Sequence, residues 1–380
     1  MQPKIGILGG GQLGKMLLEA GSDWDLNLHV LDKSKDFPAA SICTNFVVGD
    51  FTDFDDVVNF GRQMDIITVE IESINVEALE VLENEGTEVY PSAQVIRTIR
   101  DKGLQKQFYR DHNLATSDFT LYSNSDEIKS AISNQTLEYP FVQKIRTGGY
   151  DGRGVAVIRS EEDLEKLLSG PSLTEDLVDI DKEIAVIVAG NGKDWTTFPP
   201  VEMLFHPTAN LVEFLACPAE LSAAQTEESQ NLALRVAQKL NVRGLLAVEL
   251  FLTNQGKILI NESAPRPHNS GHHTIEAAVT SQFQQHLRAV LGYPLGSTEM
   301  INPAVMINLL GEKDHHGLVK YVGLENCLTI EGVYLHLYGK KETRPFRKMG
   351  HATILAENIE SAKQKARRVK QDLKIVSQTS

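Results

Sequence analysis

The stretch Leu245-Leu246-Ala247-Val248-Glu249-Leu250-Phe251-Leu252-Thr253-Asn254-Gln255-Gly256-Lys257-Ile258-Leu259-Ile260-Asn261-Glu262 decides how the remainder of the chain is read. Two apolar runs flank Asn254-Gln255-Gly256, which predicts a β-hairpin. With the turn centred between Gln255 and Gly256, Glu249 lies opposite Glu262, and both carboxylates point to one face, about 5 Å apart at Cβ. Like charges so arranged destabilise a strand pair, and a bound divalent cation reverses the sign. A hard ion such as Mg²⁺ takes carboxylate oxygens together with substrate phosphates. Asn261 could add a carbonyl oxygen. The bland alternatives are a solvent-facing strand surface or a register slipped by one. Glutamate isolated in so apolar a run argues against both.

Upstream lies Lys144-Ile145-Arg146-Thr147-Gly148-Gly149-Tyr150-Asp151-Gly152-Arg153-Gly154-Val155, with four glycines in seven residues. The run joins two predicted strands, Phe141–Ile145 and Val155–Ile158. Glycines here let the backbone approach an anion and offer its amides, while Lys144 supplies a point charge. Such a hairpin suits a lid that closes over phosphates, and the alternative is a plain flexible turn. Near the N-terminus, Gly9-Gly10-Gly11-Gln12-Leu13-Gly14 satisfies G-x-G-x-x-G between a strand and a helix, with Asp32 closing the next strand. Taken alone this says dinucleotide, but any phosphate can use the same turn and helix end.

Positive charge gathers in two further places. One is the loop Arg266-Pro267-His268-Asn269-Ser270-Gly271-His272-His273, and the other is Lys340, Arg344, Arg347 and Lys348 up to His351. Meeting in space, they would fit a small phosphorylated substrate; the alternative for the second is a solvated basic face. The His268/His272 spacing raises zinc, but the proline-rich context spoils helical geometry and HExxH is absent. Neither the serine-hydrolase elbow G-x-S-x-G nor a P-loop occurs. His315-His316 reads as a solvated pair, and Trp24 and Trp195 as packing.

The first ninety or so residues alternate strand (Lys4–Leu8, Leu28–Leu31, Phe46–Val48, Asp65–Val69) and helix (to about Ala20, Asp53–Arg62, Val76–Glu85), which predicts a doubly wound parallel sheet. Ser92–His112 has helical period, with Gly103 as a possible break. Glu161–Leu168 and Thr226–Leu240 read as helices and Leu211–Ala216 as a strand. A β-rich end (Ala304–Leu309, Val333–Tyr338, Ala352–Leu355) closes with a helix near Glu360–Asp372.

The chain has 380 residues, too many for one compact core. It is 42% hydrophobic and 23% charged, with net charge −14, which disfavours a polyanion partner such as nucleic acid. No apolar run nears the ~18 residues of a membrane span. The N-terminus enters a strand directly, with no signal segment expected. Cys43, Cys217 and Cys327 are scattered thiols without CxxC spacing, which fits a reducing cytoplasm.

These motifs, with Asn261-Glu262-Ser263-Ala264-Pro265-Arg266-Pro267-His268-Asn269-Ser270-Gly271-His272, Ser281-Gln282-Phe283 and Arg347-Lys348-Met349-Gly350-His351, resemble one family of the ATP-grasp superfamily. It is the N5-carboxyaminoimidazole ribonucleotide synthetase family, and the likeness runs from about Ile5 to His351. The resemblance implies an α/β and α+β ATP-grasp fold in three parts. A Rossmann-like domain spans 1–98, a grasp domain 99–300 with a mobile lid at about 116–190, and a small β-rich cap 301–380. It implies that ATP and bicarbonate give carboxyphosphate, which carboxylates 5-aminoimidazole ribonucleotide, with Mg²⁺ (or Mn²⁺) as the metal. A cytoplasmic homodimer without nucleic-acid or membrane partners is the matching expectation.

By the same resemblance the metal acids are Glu249 and Glu262. Nucleotide contacts fall on Lys102, Lys144, the hairpin residues Gly149, Tyr150, Asp151, Gly152, Arg153, Gly154 and Val155, the hinge Glu175, Asp176, Leu177 and Val178, and Glu183, His206, Asn261 and Glu262. The ribonucleotide falls among Gly11, Gln12, Glu72, Tyr150, Arg153, Arg266, His268, Asn269, Ser270, Lys340, Arg347 and Lys348. Asp151, Arg266, His268 and Lys340 are the catalytic candidates. Arginine is common in the family where this chain has Lys102, and the hinge is a loose match. The rivals are another ATP-grasp purine ligase or transformylase, an NAD(P) oxidoreductase built on Gly9–Gly14 and Asp32, and a non-catalytic nucleotide sensor.

Overall fold

The structure, a computed structural model, describes residues 2–149, 154–205 and 212–378. Its first unit is a five-stranded parallel sheet in the order Asn45–Val48, Asn27–Asp32, Lys4–Leu8, Ile66–Val69, Glu88–Val89. Apart from exposed Lys4 and buried Thr68, the central strands are apolar and buried on both faces, as a parallel sheet under helices requires. Helices Phe54–Gly61 and Val76–Glu85 cover one face, and Gln12–Ser22 the other. The alternation expected of the first ninety residues is present, with Val76–Glu85 found at its expected bounds.

The predicted helix 92–112 is two helices, Ala93–Arg100 and Lys102–Asp111. They break at Asp101, not at Gly103. Asp101 caps the second helix by accepting from Gly103 N (2.8 Å) and Leu104 N (3.2 Å), and it also binds Arg146 at 2.7 and 2.9 Å. A Cβ on Gly103 would meet Arg146 Nε at 2.7 Å, so the glycine admits the guanidinium that fixes this corner. Lys102, the next residue, therefore starts the helix in a fixed place.

A nine-stranded sheet forms the centre. Its main path runs Ile258–Ala264, Gly244–Thr253, Ile180–Gly190, Val201–Phe205, Val212–Cys217, Ala304–Leu310, Lys348–Leu355, Val333–Leu337. The C-terminal strands thus continue the grasp sheet. Helix Ala223–Leu240, started by a Ser222/Gln225 capping box, seals one face of the grasp half. Helix Ile359–Asp372 covers the C-terminal half. A smaller sheet, Phe119–Tyr122, Ser172–Asp176, Phe141–Ile145, Val155–Ile158, carries the glycine hairpin. The segment expected as helix Glu161–Leu168 is a 3-10 turn, Glu161–Lys166, with no buried residue to hold a longer helix. Among the described residues no helix is long and apolar enough to cross a membrane.

The acidic hairpin departs from the expected register near its turn. Leu250 faces Ile260, Phe251 faces Leu259 and Leu252 faces Ile258, which centres the turn on Gln255. A β-bulge then absorbs Asn261, and beyond it Glu249 faces Glu262. The predicted pairing of the two acids is present, but through the bulge; an unbroken ladder would have set Asn261 opposite Glu249.

Candidate active site

Four elements converge on the acidic pair. Lys144, at the end of Phe141–Ile145, donates to Asn261 Oδ1 at 2.8 Å, so the bulged residue is used to hold the lysine. Lys102 makes an ion pair with Glu262. Glu183, on the neighbouring strand, lies two residues from Ala185, which pairs with Glu249, so it shares the same sheet face. His268 brings Nε2 to 3.6 Å from Glu249 Oε1.

Burial raises the Glu249 carboxyl, opposed by Lys102 and Lys144 and then by Lys348 and Arg266. Burial together with the Glu249 charge pushes Glu183 up to about 7. Burial and the neighbouring Lys144 bring Lys102 down to about 8. Such mutual displacement marks carboxylates and ammoniums packed tightly on one face. The donor set fits a hard divalent ion: two opposed carboxylates need a cation between them, and the Lys102 ammonium partly fills that need now. Among the described residues no group of three or more metal-type ligands occurs, so further oxygens would have to come from phosphate and water.

Glu175, expected at the nucleotide hinge, is 4% exposed. Its oxygens meet Lys144 Nζ at 3.1 Å, Lys106 Nζ at 3.2 Å and Ser117 Oγ at 3.0 Å. Burial works against its charge, but the two ammoniums outweigh it and hold the carboxyl below its usual range. Its carboxylate is therefore committed to positioning Lys144. Asp176 ends the same strand, and Leu177 and Val178 follow in the connection to Ile180–Gly190. Lys106, 2% exposed, also donates to Thr116 and Ser117 and went unnoticed in the sequence, because a lysine at helical spacing reads as surface.

On the other side, Arg266 Nε lies 2.8 Å from Glu72 Oε1. Ser270 donates its backbone N–H to His268 Nδ1 (3.3 Å), and its hydroxyl lies 2.8 Å from the same atom. The proton of the ring is thus on Nε2, facing Glu249. Burial and then Arg266 lower the His268 pKa to about 3, so the ring is a neutral donor near neutral pH. Asn269 and Ser270 lie in the 3-10 turn Asn269–Gly271. Gln282 clamps this loop, accepting from His268 N (2.9 Å) and donating to His268 O (2.8 Å). Lys340 donates to Lys348 O at 2.7 Å, and burial and Arg347 bring it to about 8. Arg347 donates to Glu342 O at 2.6 Å. Zinc at His268/His272 finds no support, since among the described residues no third metal-type ligand gathers with the two rings.

The glycine turn differs from its dinucleotide reading. Glu70, which follows strand Ile66–Val69, accepts from Gly11 N at 2.6 Å and Gly14 N at 2.5 Å. Asp32 accepts from Gly10 N and Lys33 N, both at 2.7 Å. The amides that would cradle a pyrophosphate, and the acid that would hold a ribose, are satisfied internally, which removes the ground for the NAD(P) rival. Glu70 was missed; its position at the carboxyl end of an apolar parallel strand was the available signal. Tyr150, Asp151, Gly152, Arg153 and His206 lie outside the described residues. Gly149 and Gly154 flank the first four at the ends of the hairpin, and Val155 begins the return strand.

Three family models match the chain: an ATP-grasp domain at 107–283, a ribonucleotide synthetase preATP-grasp domain at 1–100, and a phosphoribosylaminoimidazole carboxylase C-terminal domain at 304–365. The N5-carboxyaminoimidazole ribonucleotide synthase of Bacillus subtilis is 35% identical over 93% of this chain and 91% of its own length. The crystal structure of the corresponding synthetase from Thermotoga maritima matches with TM-score 0.91 and 41% identity, covering 99% of this chain and 100% of that one. An Aspergillus clavatus synthase solved with ADP and 5-aminoimidazole ribonucleotide matches with TM-score 0.89 and 31% identity, covering 97% of this chain and 98% of that one. The chain spans 65% of the length of the chloroplastic phosphoribosylaminoimidazole carboxylase of Vigna aconitifolia, to which it is 39% identical over 94% of its own length. With matched models across all three parts, and with the Bacillus subtilis and Thermotoga maritima relatives covered over more than nine-tenths of their length, the chain belongs to the N5-carboxyaminoimidazole ribonucleotide synthase family and has its ATP-grasp fold.

Proposed function

We propose that Glu249 and Glu262 hold the magnesium ion of bound ATP, that Lys102 and Lys144 bind its phosphates, and that the basic loop opposite receives the ribonucleotide. The chain is an ATP-grasp ligase that carboxylates 5-aminoimidazole ribonucleotide with ATP and bicarbonate. The observation that carries the assignment of roles is the Glu249/Glu262 pairing, framed by two lysines and facing Arg266 and His268.

Phosphoryl transfer to bicarbonate needs positioned positive charge more than covalent help. Lys144, fixed by Glu175 and Asn261, is preorganised for that work, and Lys102 stands at the start of its helix beside Glu262. A divalent ion on the acidic pair supplies charge neutralisation at the phosphates when bound; Mn²⁺ suits the same oxygens. His268 offers an N–H to an oxygen of the carboxyl group being transferred. Arg266, Lys340, Arg347 and Lys348 supply charge for the ribose phosphate, beside Gly11, Gln12 and Glu72. Carboxyphosphate hydrolyses in water, so the glycine hairpin is read as a lid that excludes it. The working parts are taken as 1–98, 99–300 with a lid at about 116–190, and 301–380, in a cytoplasmic homodimer.

ADP release, followed with Mg²⁺ and bicarbonate in the presence and absence of 5-aminoimidazole ribonucleotide, tests this. Ribonucleotide-stimulated ADP formation is expected. Stimulation by formate or an amino acid instead would move the chain to another ligase of the superfamily.

A further inference from the structure

Behind the basic loop lies a group of aromatic side chains that the site as described does not use. His336 and His351 face each other across strands Val333–Leu337 and Lys348–Leu355. Their rings are stacked, with centroids 4.3 Å apart and planes 7° apart. His272, from the basic loop, packs on His351 at 4.7 Å. His336 Nε2 meets Glu276 Oε1 at 2.6 Å, and Tyr338 OH meets His351 Nδ1 at 3.1 Å. His272 and His351 are 1% and 0% exposed, and burial holds both rings neutral, so they pack as flat apolar discs with polar edges.

The stack joins segments that carry residues assigned above to the ribonucleotide. His351 stands three residues beyond Lys348 on the same strand. His272 is held by Gln282, the side chain that also clamps the backbone of His268. Lys15, in the helix that starts at Gln12, donates to Leu337 O at 3.0 Å, beside His336. The Lys348 strand and the Arg266–His268 loop thus meet in the stack, and the Gln12 helix is tied to the neighbouring strand at Leu337.

We propose that the His272–His351–His336 stack, closed by Glu276, is a positioning element that sets the spacing between the two basic halves of the ribonucleotide site. The inference rests on the reading of Arg266, Arg347 and Lys348 as ribonucleotide contacts. Misplacing such contacts by ~1 Å weakens binding and turnover far more than it disturbs the fold.

The test compares His336→Ala, Glu276→Ala, Glu276→Gln and His351→Phe with the unaltered chain, reading KM for each substrate, kcat and the thermal midpoint. His336→Ala and Glu276→Ala are expected to raise KM for 5-aminoimidazole ribonucleotide by ~10-fold or more, while KM for ATP stays within ~2-fold. Glu276→Gln keeps a hydrogen-bond partner for His336, and His351→Phe keeps a ring in the stack, so both are expected to recover most of the affinity. Folded alanine variants with unchanged ribonucleotide KM, or with both KM values rising together, overturn the proposal. Arg347→Ala separates the two levels. If it leaves ribonucleotide KM unaltered, the underlying reading fails and the proposal with it; if it raises KM while the stack variants do not, the stack proposal alone falls.

Discussion

The glycine turn at Gly9–Gly14 and the hairpin that bears Glu249 and Glu262 both set carboxylates against a backbone kink, yet their chemistry is opposite. In the turn, Glu70 and Asp32 each accept two backbone N–H groups at 2.5 to 2.7 Å. Both carboxylates there are met by backbone donors from the same domain and need no cation. In the hairpin the acids face each other across the ladder, with a lysine, a neutral histidine and a third glutamate around them. That arrangement is incomplete until a cation enters. A formal motif match therefore marks the closed structure, while an unmotivated pair of acids in an apolar run marks the reactive one.

The largest effect that would break this contrast lies in the hairpin. Glu262→Gln, or Glu249→Gln, is expected to lower kcat by ~10³-fold, the scale on which loss of an electrostatic group at the transition state is felt. The thermal midpoint should move little, because relief of like-charge repulsion offsets the loss of the Lys102 pair. ADP release and calorimetry on the same samples decide it. Near-normal turnover would show that the pair holds no essential ion.

Glu70→Gln is the mirror experiment. A glutamine presents one acceptor where the carboxylate presents two, and turns an NH₂ toward a glycine N–H, leaving that donor unsatisfied. The expected loss is about 1–3 kcal/mol in denaturant unfolding. If Glu70→Gln proves as stable as the parent and Glu262→Gln does not, the assignment of closed and open regions is reversed.

How far these differences could be read in advance depends on the range of the interactions. The parallel sheet follows from local periodicity, as do the helix Val76–Glu85 and the strands Phe141–Ile145 and Val155–Ile158, which stand at their predicted bounds. Glu249 and Glu262 were found opposite each other because a hairpin brings near residues together. The bulge at Asn261 is not legible, since the partner its side chain meets there, Lys144, lies 117 residues away in the chain. Glu70 and Lys106 are silent for the same reason, being defined by partners from other elements, and the run Ser281-Gln282-Phe283 gives no sign that Gln282 clamps His268. The helix break lies at Asp101, two residues before the expected Gly103, because the Asp101 cap and its Arg146 partner set it and the flexibility of Gly103 does not.

The smallest effect sharpens the contrast through pH. Burial and the Glu249 charge raise Glu183 from an ordinary 4.5 to about 7 in the fold. A carboxyl raised on folding binds its proton more tightly in the native state, so it contributes stability at low pH that is lost as pH rises through that window. Buried histidines such as His268 and His286 act in the opposite sense, being neutral in the fold and protonated when unfolded in acid. The informative quantity is therefore the difference in midpoint between the unaltered chain and Glu183→Gln, without metal or nucleotide. That difference should favour the unaltered chain more at about pH 5 than at about pH 8. A constant difference would mean that neither burial nor the Glu249 charge raises Glu183 in the fold. Adding Mg²⁺ and ATP should shrink the slope without abolishing it, because a cation between Glu249 and Glu262 offsets the Glu249 charge while burial still raises Glu183.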